Sequence, residues 1–238
     1  MFLSRLRAYL LIDPLIVLAT ILFGSMSLVA SAFDKTGRTQ HALARVWARV
    51  LLRVSGVRVH VEGLEKLQPD ASYVLVANHR SYMDTPVVLA HIPLQFRFFA
   101  KQGLFRIPLL GGHLRRAGHL PVVRGDPRAS LKSVSAGARL IVQRGVSVLL
   151  FPEGGRSPAG MRDFKEGAAY LAIKAGVPAV PIGIGGTRQV LPMGSAVVQP
   201  RPVTLRIGDP IPTAGLKPTA RGGLTETLQK RVAELMAG

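Results

Sequence analysis

From about residue 56 onward the chain alternates short apolar runs, rich in Val, Leu, Ile and Phe, with helix-forming stretches. "VRVHVEG", "SYVLVAN", "FRFFAK", "HLPVV", "VSVLLFP", "PAVPIGI" and "VTLRIG" read as strands. "TPVVLAHI", "ASLKSVSAGARLIVQRG" and "EGAAYLAIKAG" between them read as helices, with "LTETLQKRVAELM" the last. Gly145 and Gly176 stand where two of these helices should stop. Strands separated by helices predict an α/β fold, a largely parallel or mixed sheet covered by helices. Ligands of such sheets bind beyond the carboxyl ends of the strands. The polar clusters that follow these strands are therefore where chemistry is expected.

The first 55 residues have a different character. From Leu15 to Phe33 there is no charged residue. A helix of that length is roughly 30 Å long, close to the hydrocarbon thickness of a bilayer. Gly24 and the small residues after it lower its hydrophobicity, so a monotopic or re-entrant helix is an alternative to a span. A signal peptide is another, since Arg5 and Arg7 precede the segment and Ala30-Ser31-Ala32 resembles a cleavage site. Asp13-Pro14 interrupts that pattern. Next comes "QHALARVWARVLLRVSG", with Leu43, Val46, Trp47, Val50, Leu51 and Val54 expected on one helical face and Arg45, Arg49 and Arg53 on another. Apolar and aromatic residues beside arginines suit a helix lying in a membrane interface. An amphipathic helix packed on the core is the alternative. Arginine is denser after the apolar segment than before it, which places the main domain on the cytoplasmic side. Residues 1–55 are thus expected to be membrane-associating helices, and 56–238 a single α/β domain.

The formal net charge of +18 attracts polyanions: nucleic acid, anionic lipid or phosphorylated small molecules. Stacking on nucleic-acid bases wants aromatics among the cations, yet only 6% of residues are aromatic and no nucleic-acid motif appears. A membrane-tethered nucleic-acid binder is therefore the remote alternative. The absence of cysteine removes disulfides, a thiol nucleophile and Cys-ligated zinc. The six histidines show no metal-ligand spacing with acidic partners, so no metal is expected. There is no G-x-S-x-G elbow and no Walker A loop, and "GIGGTR" breaks the dinucleotide fingerprint.

Two clusters remain. In "NHRSYMD", His79 follows a strand and Asp84 lies five residues on. A carboxylate reaching back from the first helical turn would fix the ring's tautomer and leave its other nitrogen to act as a general base. The plainer alternative is a helix-capping carboxylate beside a surface histidine. In "FPEGGRS", Gly154 and Gly155 allow close backbone approach, and Glu153 and Arg156 flank them. Arg can grip a phosphate bidentately and Glu can accept from a substrate hydroxyl; a surface turn is the alternative. Lys101 and Arg124 also follow strands. Lys101, Arg124 and Arg156 then share with His79 the same kind of position, as in a pocket that holds a phosphate beside a base.

In this order, "NHRSYMD", "KQGLFRIPLLG" continuing to "VVRGD", "FPEGGRS" and "VPAVPIG" resemble the four sequence blocks of the glycerolipid acyltransferase family. The blocks run from residue 78 to 182, and a looser likeness covers roughly 40 to 215. The resemblance implies an acyltransferase fold preceded by membrane-associating helices. It implies acyl transfer from acyl-CoA or acyl-acyl carrier protein to a lysophospholipid hydroxyl, the sn-2 hydroxyl of lysophosphatidic acid above all, with no cofactor. It implies His79 as base, Asp84 as its partner, Glu153 and Arg156 at the acceptor, and Lys101 and Arg156 near its phosphate. The expected place is the cell inner membrane, the site facing the cytoplasm, with acyl carrier protein a possible partner and nucleic acid not one. Gly155 stands where the family usually has Thr, which leaves another acceptor open, a lyso-aminolipid or lysophosphatidylethanolamine.

Overall fold

In a computed structural model, residues 6–123, 125–157 and 160–237 are described. The chain opens with a π-helical turn over Ala8–Ile12 that runs into α1 (Asp13–Ala30), followed by α2 (Arg38–Val54). Then come β1 (Arg58–Glu62), β2 (Val74–Ala77), α3 (Asp84–His91), β3 (Phe96–Lys101), α4 (Leu110–Arg116) and β4 (Leu120–Val122). The remainder is α5 (Pro127–Arg144), β5 (Ser147–Leu150), α6 (Gly167–Ala175), β6 (Ala179–Gly185), α7 (Thr187–Val190), β7 (Pro202–Ile207) and α8 (Arg221–Ala237).

The seven strands form one sheet in the order β1-β7-β6-β2-β5-β3-β4. Only β6 and β7 pair antiparallel. The α/β fold with a mixed, mostly parallel sheet is thus the one the alternating pattern predicts. Every residue of β2 and of β5 is buried, as a strand with helices on both faces requires. Their side chains alternate between two cores. Leu75, Ala77 and Leu149 join Val87, Leu89, Leu51 and Leu52 on the face covered by α2 and α3. Val74, Val76, Val148 and Leu150 join Ala138, Leu171 and Leu228 on the face covered by α5, α6 and α8. Gly145 and Gly176 end α5 and α6 in the left-handed conformation, as expected.

The apolar N-terminal segment is a helix over Ala8–Ala30, 23 residues with a hydropathy of 2.0, long and apolar enough to cross a membrane. It begins earlier and ends sooner than the uncharged run Leu15–Phe33. One side exposes Leu10, Val17, Leu18, Ile21 and Val29, while the other packs on α2 and α4. There Trp47 donates to Thr20 Oγ1 (3.1 Å) and Ser27 Oγ meets His113 Nδ1 (2.7 Å). Gly24 lets Leu109 pack close, since a Cβ there would lie 2.8 Å from Leu109 Cδ2 and push that side chain aside.

The expected apolar face of α2 is corrected. Val46 is 43% exposed, whereas Gln40, His41, Ala48, Leu51 and Leu52 are buried. The buried residues still form one stripe, but it is rotated around the helix from the expected face, because α2 packs against both α1 and α3. The helix α4, over "LLGGHLRR", was not among the expected helices. Gly111 is needed because a Cβ there would collide with the Phe105 carbonyl oxygen.

A group of histidines lies under α2 and α4. His41 is 1% exposed and meets the edge of Phe96 at 4.7 Å between ring centres. His119 accepts the Phe98 amide at Nδ1 (2.9 Å). Burial, then the Arg97 and Arg45 charges, depress His41 to about 3. Burial, then Arg97, depress His113 to about 4. An unfolded histidine titrates near 6.5. As pH falls through that value the unfolded chain takes up protons that the folded chain refuses. Stability present above about 6.5 is therefore lost on acidification, by roughly 2 kcal/mol at pH 5 for a histidine held as neutral as His41. The unfolding midpoint of detergent-solubilised protein should drop between pH 7 and pH 5, and His41→Gln, which cannot titrate, should make that drop shallower. An equally steep drop in the variant would show that His41 is not among its causes.

Candidate active site

The carboxyl end of β2 is closed by a side chain that acts as backbone. Asn78 is wholly buried. Its amide nitrogen donates to the Ile184 carbonyl (2.9 Å), and its oxygen accepts from the Ile184 amide (2.7 Å). It thus prolongs the β2–β6 pairing by one residue and fixes where the chain leaves the sheet. His79 comes next, with 18% of its side chain exposed.

Asp84, completely buried, opens α3 and turns its carboxylate back onto this loop. One oxygen, Oδ2, accepts from His79 Nδ1 (2.8 Å), Arg80 N (2.7 Å) and Ser81 N (2.8 Å). Asp84 is therefore not the helix cap that was the alternative: Met83 stands at the N-cap with no side-chain cap bond, and the carboxylate is the partner of the ring. The same oxygen ties the turn and holds the imidazole. A ring that donates from Nδ1 carries its lone pair on Nε2, away from Asp84. Phe151, the first residue after β5, stacks on His79 at 4.2 Å and 18°, which fixes the plane of the ring.

Glu153 connects the second loop to the first. Its Oε1 accepts the His79 amide (2.5 Å) and its Oε2 the Arg162 amide (3.0 Å). Burial pushes its carboxyl above the usual range, opposed by those two amides and by His79 and Arg80. A substrate hydroxyl would have to share oxygens already occupied by main chain. Gly154 has φ +68°, and a Cβ there would lie 3.1 Å from the ammonium of Lys165. Lys165 therefore lies across this loop. The guanidinium carbon of Arg156 sits 3.4 Å above the centre of the Tyr82 ring.

β2, β5 and β3 are adjacent and parallel. The loops that carry His79, Arg156 and Lys101 therefore leave the same edge of the sheet, as expected. Lys101 is exposed there, and no carboxylate among the described residues pairs with Lys101, Arg156 or Lys165. Arg124, the fourth expected cation, lies outside the described residues. Among the described residues no group of three or more His, Asp or Glu side chains could hold a metal ion.

Behind the His79–Asp84 pair is a cavity of about 360 Å³, almost wholly apolar. Thr85, next to Asp84, and Phe98, 6.3 Å from Phe151, line it on the sheet side. Phe23 and Gly24 of α1 close the other wall. A cleaved signal segment would take that wall with it. The sequence did not announce this cavity, because stretches from α1, α2, α3, β3 and the segment through α4 build it together. Nor did it single out Tyr82, Phe151 and Lys165, whose only signal is that they sit in or near the two polar loops.

Residues 58–185 match the family described as Acyltransferase. A chloroplastic 1-acyl-sn-glycerol-3-phosphate acyltransferase of Brassica napus is 37% identical over 68% of this chain and 47% of its own length. The 1-acyl-sn-glycerol-3-phosphate acyltransferase of Pseudomonas aeruginosa is 30% identical over 77% of this chain and 71% of its own. The match thus spans about half of the Brassica protein and nearly three quarters of the Pseudomonas one. The crystal structure of PlsC, the 1-acyl-sn-glycerophosphate acyltransferase of Thermotoga maritima, superposes with a TM-score of 0.79 at 27% identity, covering 98% of this chain and 97% of that one.

Glu153→Gln separates bracing from substrate contact. The amide keeps the shape but sets an NH₂ against one of the two main-chain donors, at a cost of about 1–3 kcal/mol. The unfolding midpoint should fall and kcat should drop about tenfold or more as His79 shifts, with acceptor KM nearly constant. A raised acceptor KM with an unchanged midpoint would instead put Glu153 on the substrate.

Proposed function

The chain belongs to the acyltransferase family, and from that premise we propose that it transfers a fatty acyl group from an acyl thioester to the sn-2 hydroxyl of lysophosphatidic acid, giving phosphatidic acid. The observation that carries this reading is the His79–Asp84 pair, held at 2.8 Å by a buried carboxylate beside unpaired cations and an apolar cavity. His79 Nε2 takes the proton of the acceptor hydroxyl. The oxygen attacks the thioester carbonyl, and the C–O bond forms. Collapse of the tetrahedral intermediate breaks the C–S bond, and the departing thiolate takes the proton from the imidazolium. Asp84 stabilises that imidazolium while it exists. Such a base supplies about 10²–10⁴-fold in rate.

Arg156 and Lys101, with Arg124, hold the acceptor phosphate. Glu153 and Gly154 shape the loop that carries Arg156, and Glu153 sets the position of His79. The apolar cavity takes the acyl chain. The donor, acyl-CoA or acyl-acyl carrier protein, is already activated, so the step needs no cofactor or metal. α1 holds the enzyme at the inner membrane with the site toward the cytoplasm, where a lipid acceptor reaches it without leaving the bilayer. Gly155 favours a second reading of the acceptor only, in which lysophosphatidylethanolamine or a lyso-aminolipid is acylated by the same groups.

Purified protein in mixed micelles should acylate lysophosphatidic acid in preference to lysophosphatidylethanolamine, with acyl-CoA or acyl-acyl carrier protein as donor. His79→Ala should lose at least about 10²-fold in kcat while membrane binding persists. Arg156→Ala should raise the KM for lysophosphatidic acid roughly tenfold or more. Full turnover by His79→Ala would end the mechanism. Preference for the ethanolamine lipid would replace the acceptor.

A further inference from the structure

Tyr82 sits in the middle of "NHRSYMD" with its side chain 66% exposed, while its neighbours on both sides are buried. Ser81 is pinned through its amide to Asp84 and through its hydroxyl to the Leu191 carbonyl (2.9 Å). Met83 is 3% exposed. The backbone on either side of Tyr82 is therefore fixed, and it is the same loop that carries His79. An exposed tyrosine at such a place has little to gain from burial. What it touches is the face of Arg156.

At 3.4 Å from guanidinium carbon to ring centre, the two planar groups lie face to face. A guanidinium stacked in this way uses its π face and none of its N–H groups. Its edge stays free to hold two oxygens of a phosphate. A carboxylate partner would have done the opposite, occupying the N–H fork and cancelling the charge. The stack also ties Arg156, which hangs from β5, to the loop at the end of β2 that holds the base.

We propose that Tyr82 is a positioning residue that presents Arg156 to the phosphate monoester of the acceptor and sets the spacing between that phosphate and His79. The proposal rests on the reading of Arg156 as the phosphate-binding residue. The ring face does the work, so a phenylalanine serves and an aliphatic side chain does not. Tyr82 then acts on the acceptor through Arg156 and through nothing else.

The test is a double-mutant cycle on purified full-length protein, with lysophosphatidic acid and acyl-CoA as the probes and kcat, both KM values, thermal midpoint and vesicle binding as readouts. Tyr82→Ala should raise the acceptor KM about two- to fivefold, with donor KM, midpoint and vesicle binding unchanged. Tyr82→Phe should restore the acceptor KM. In an Arg156→Ala background, Tyr82→Ala should add nothing. The same fold-change in both backgrounds would overturn the proposal, as would a Tyr82→Phe variant as impaired as Tyr82→Ala. Lost vesicle binding with unchanged acceptor KM would also overturn it and make Tyr82 a membrane contact. If Arg156→Ala alone leaves the acceptor KM unchanged, the reading of Arg156 fails, and the proposal with it.

Discussion

One buried oxygen organises this site. Asp84 Oδ2 accepts three N–H groups within 2.8 Å, two from the main chain of the loop and one from the imidazole. A carboxylate is costly to bury without partners, and these hydrogen bonds offset that cost. The same bonds close the turn that ends β2 and choose the tautomer of His79. The loop would lose its shape and the ring its orientation together. The geometry of the His79–Asp84 pair is thus inseparable from the local fold.

The rest of the molecule extends that constraint outward. Asn78 anchors the start of the loop in the sheet through Ile184, and Glu153 binds its amide from the neighbouring strand's loop. Because β2, β5 and β3 run parallel, their ends bring His79, Arg156 and Lys101 to one edge. The apolar helix α1 supplies a wall of the cavity behind that edge and leaves its other side uncovered. His79, cations with no carboxylate partner among the described residues, and the apolar cavity behind Thr85 and Phe98 are the features on which the proposed hydroxyl-bearing, anionic, acyl-chain substrate rests.

Much of this was legible in the residues. The strands were, because β-branched and leucine-rich runs such as "SYVLVAN" and "VSVLL" are buried on both faces and need no polar alternation. The ends of α5 and α6 were, because glycine marks a left-handed cap. His79 and Asp84 were, because a histidine leaving a strand five residues before a carboxylate fits one short loop. The inner face of α2 was not, since it serves two partners and Ala48 matters more there than Val46. α4 was not, because Gly111 is dictated by the close Phe105 carbonyl rather than by the helix. The stacking of Phe151 on His79 and of Tyr82 on Arg156 joins segments about seventy residues apart in sequence, and nothing local announces it.

The central claim is that Asp84 makes His79 a base by orienting the ring and balancing the charge it gains with the proton. Asp84→Asn tests it most directly. All three N–H groups end on one oxygen, so an asparagine whose oxygen takes that place keeps the turn and the tautomer but removes the negative charge that balances the imidazolium. The account predicts that kcat with lysophosphatidic acid falls by about 10²–10⁴-fold across the pH range, while acceptor KM and thermal midpoint change little. An Asp84→Asn enzyme that keeps wild-type kcat would contradict it.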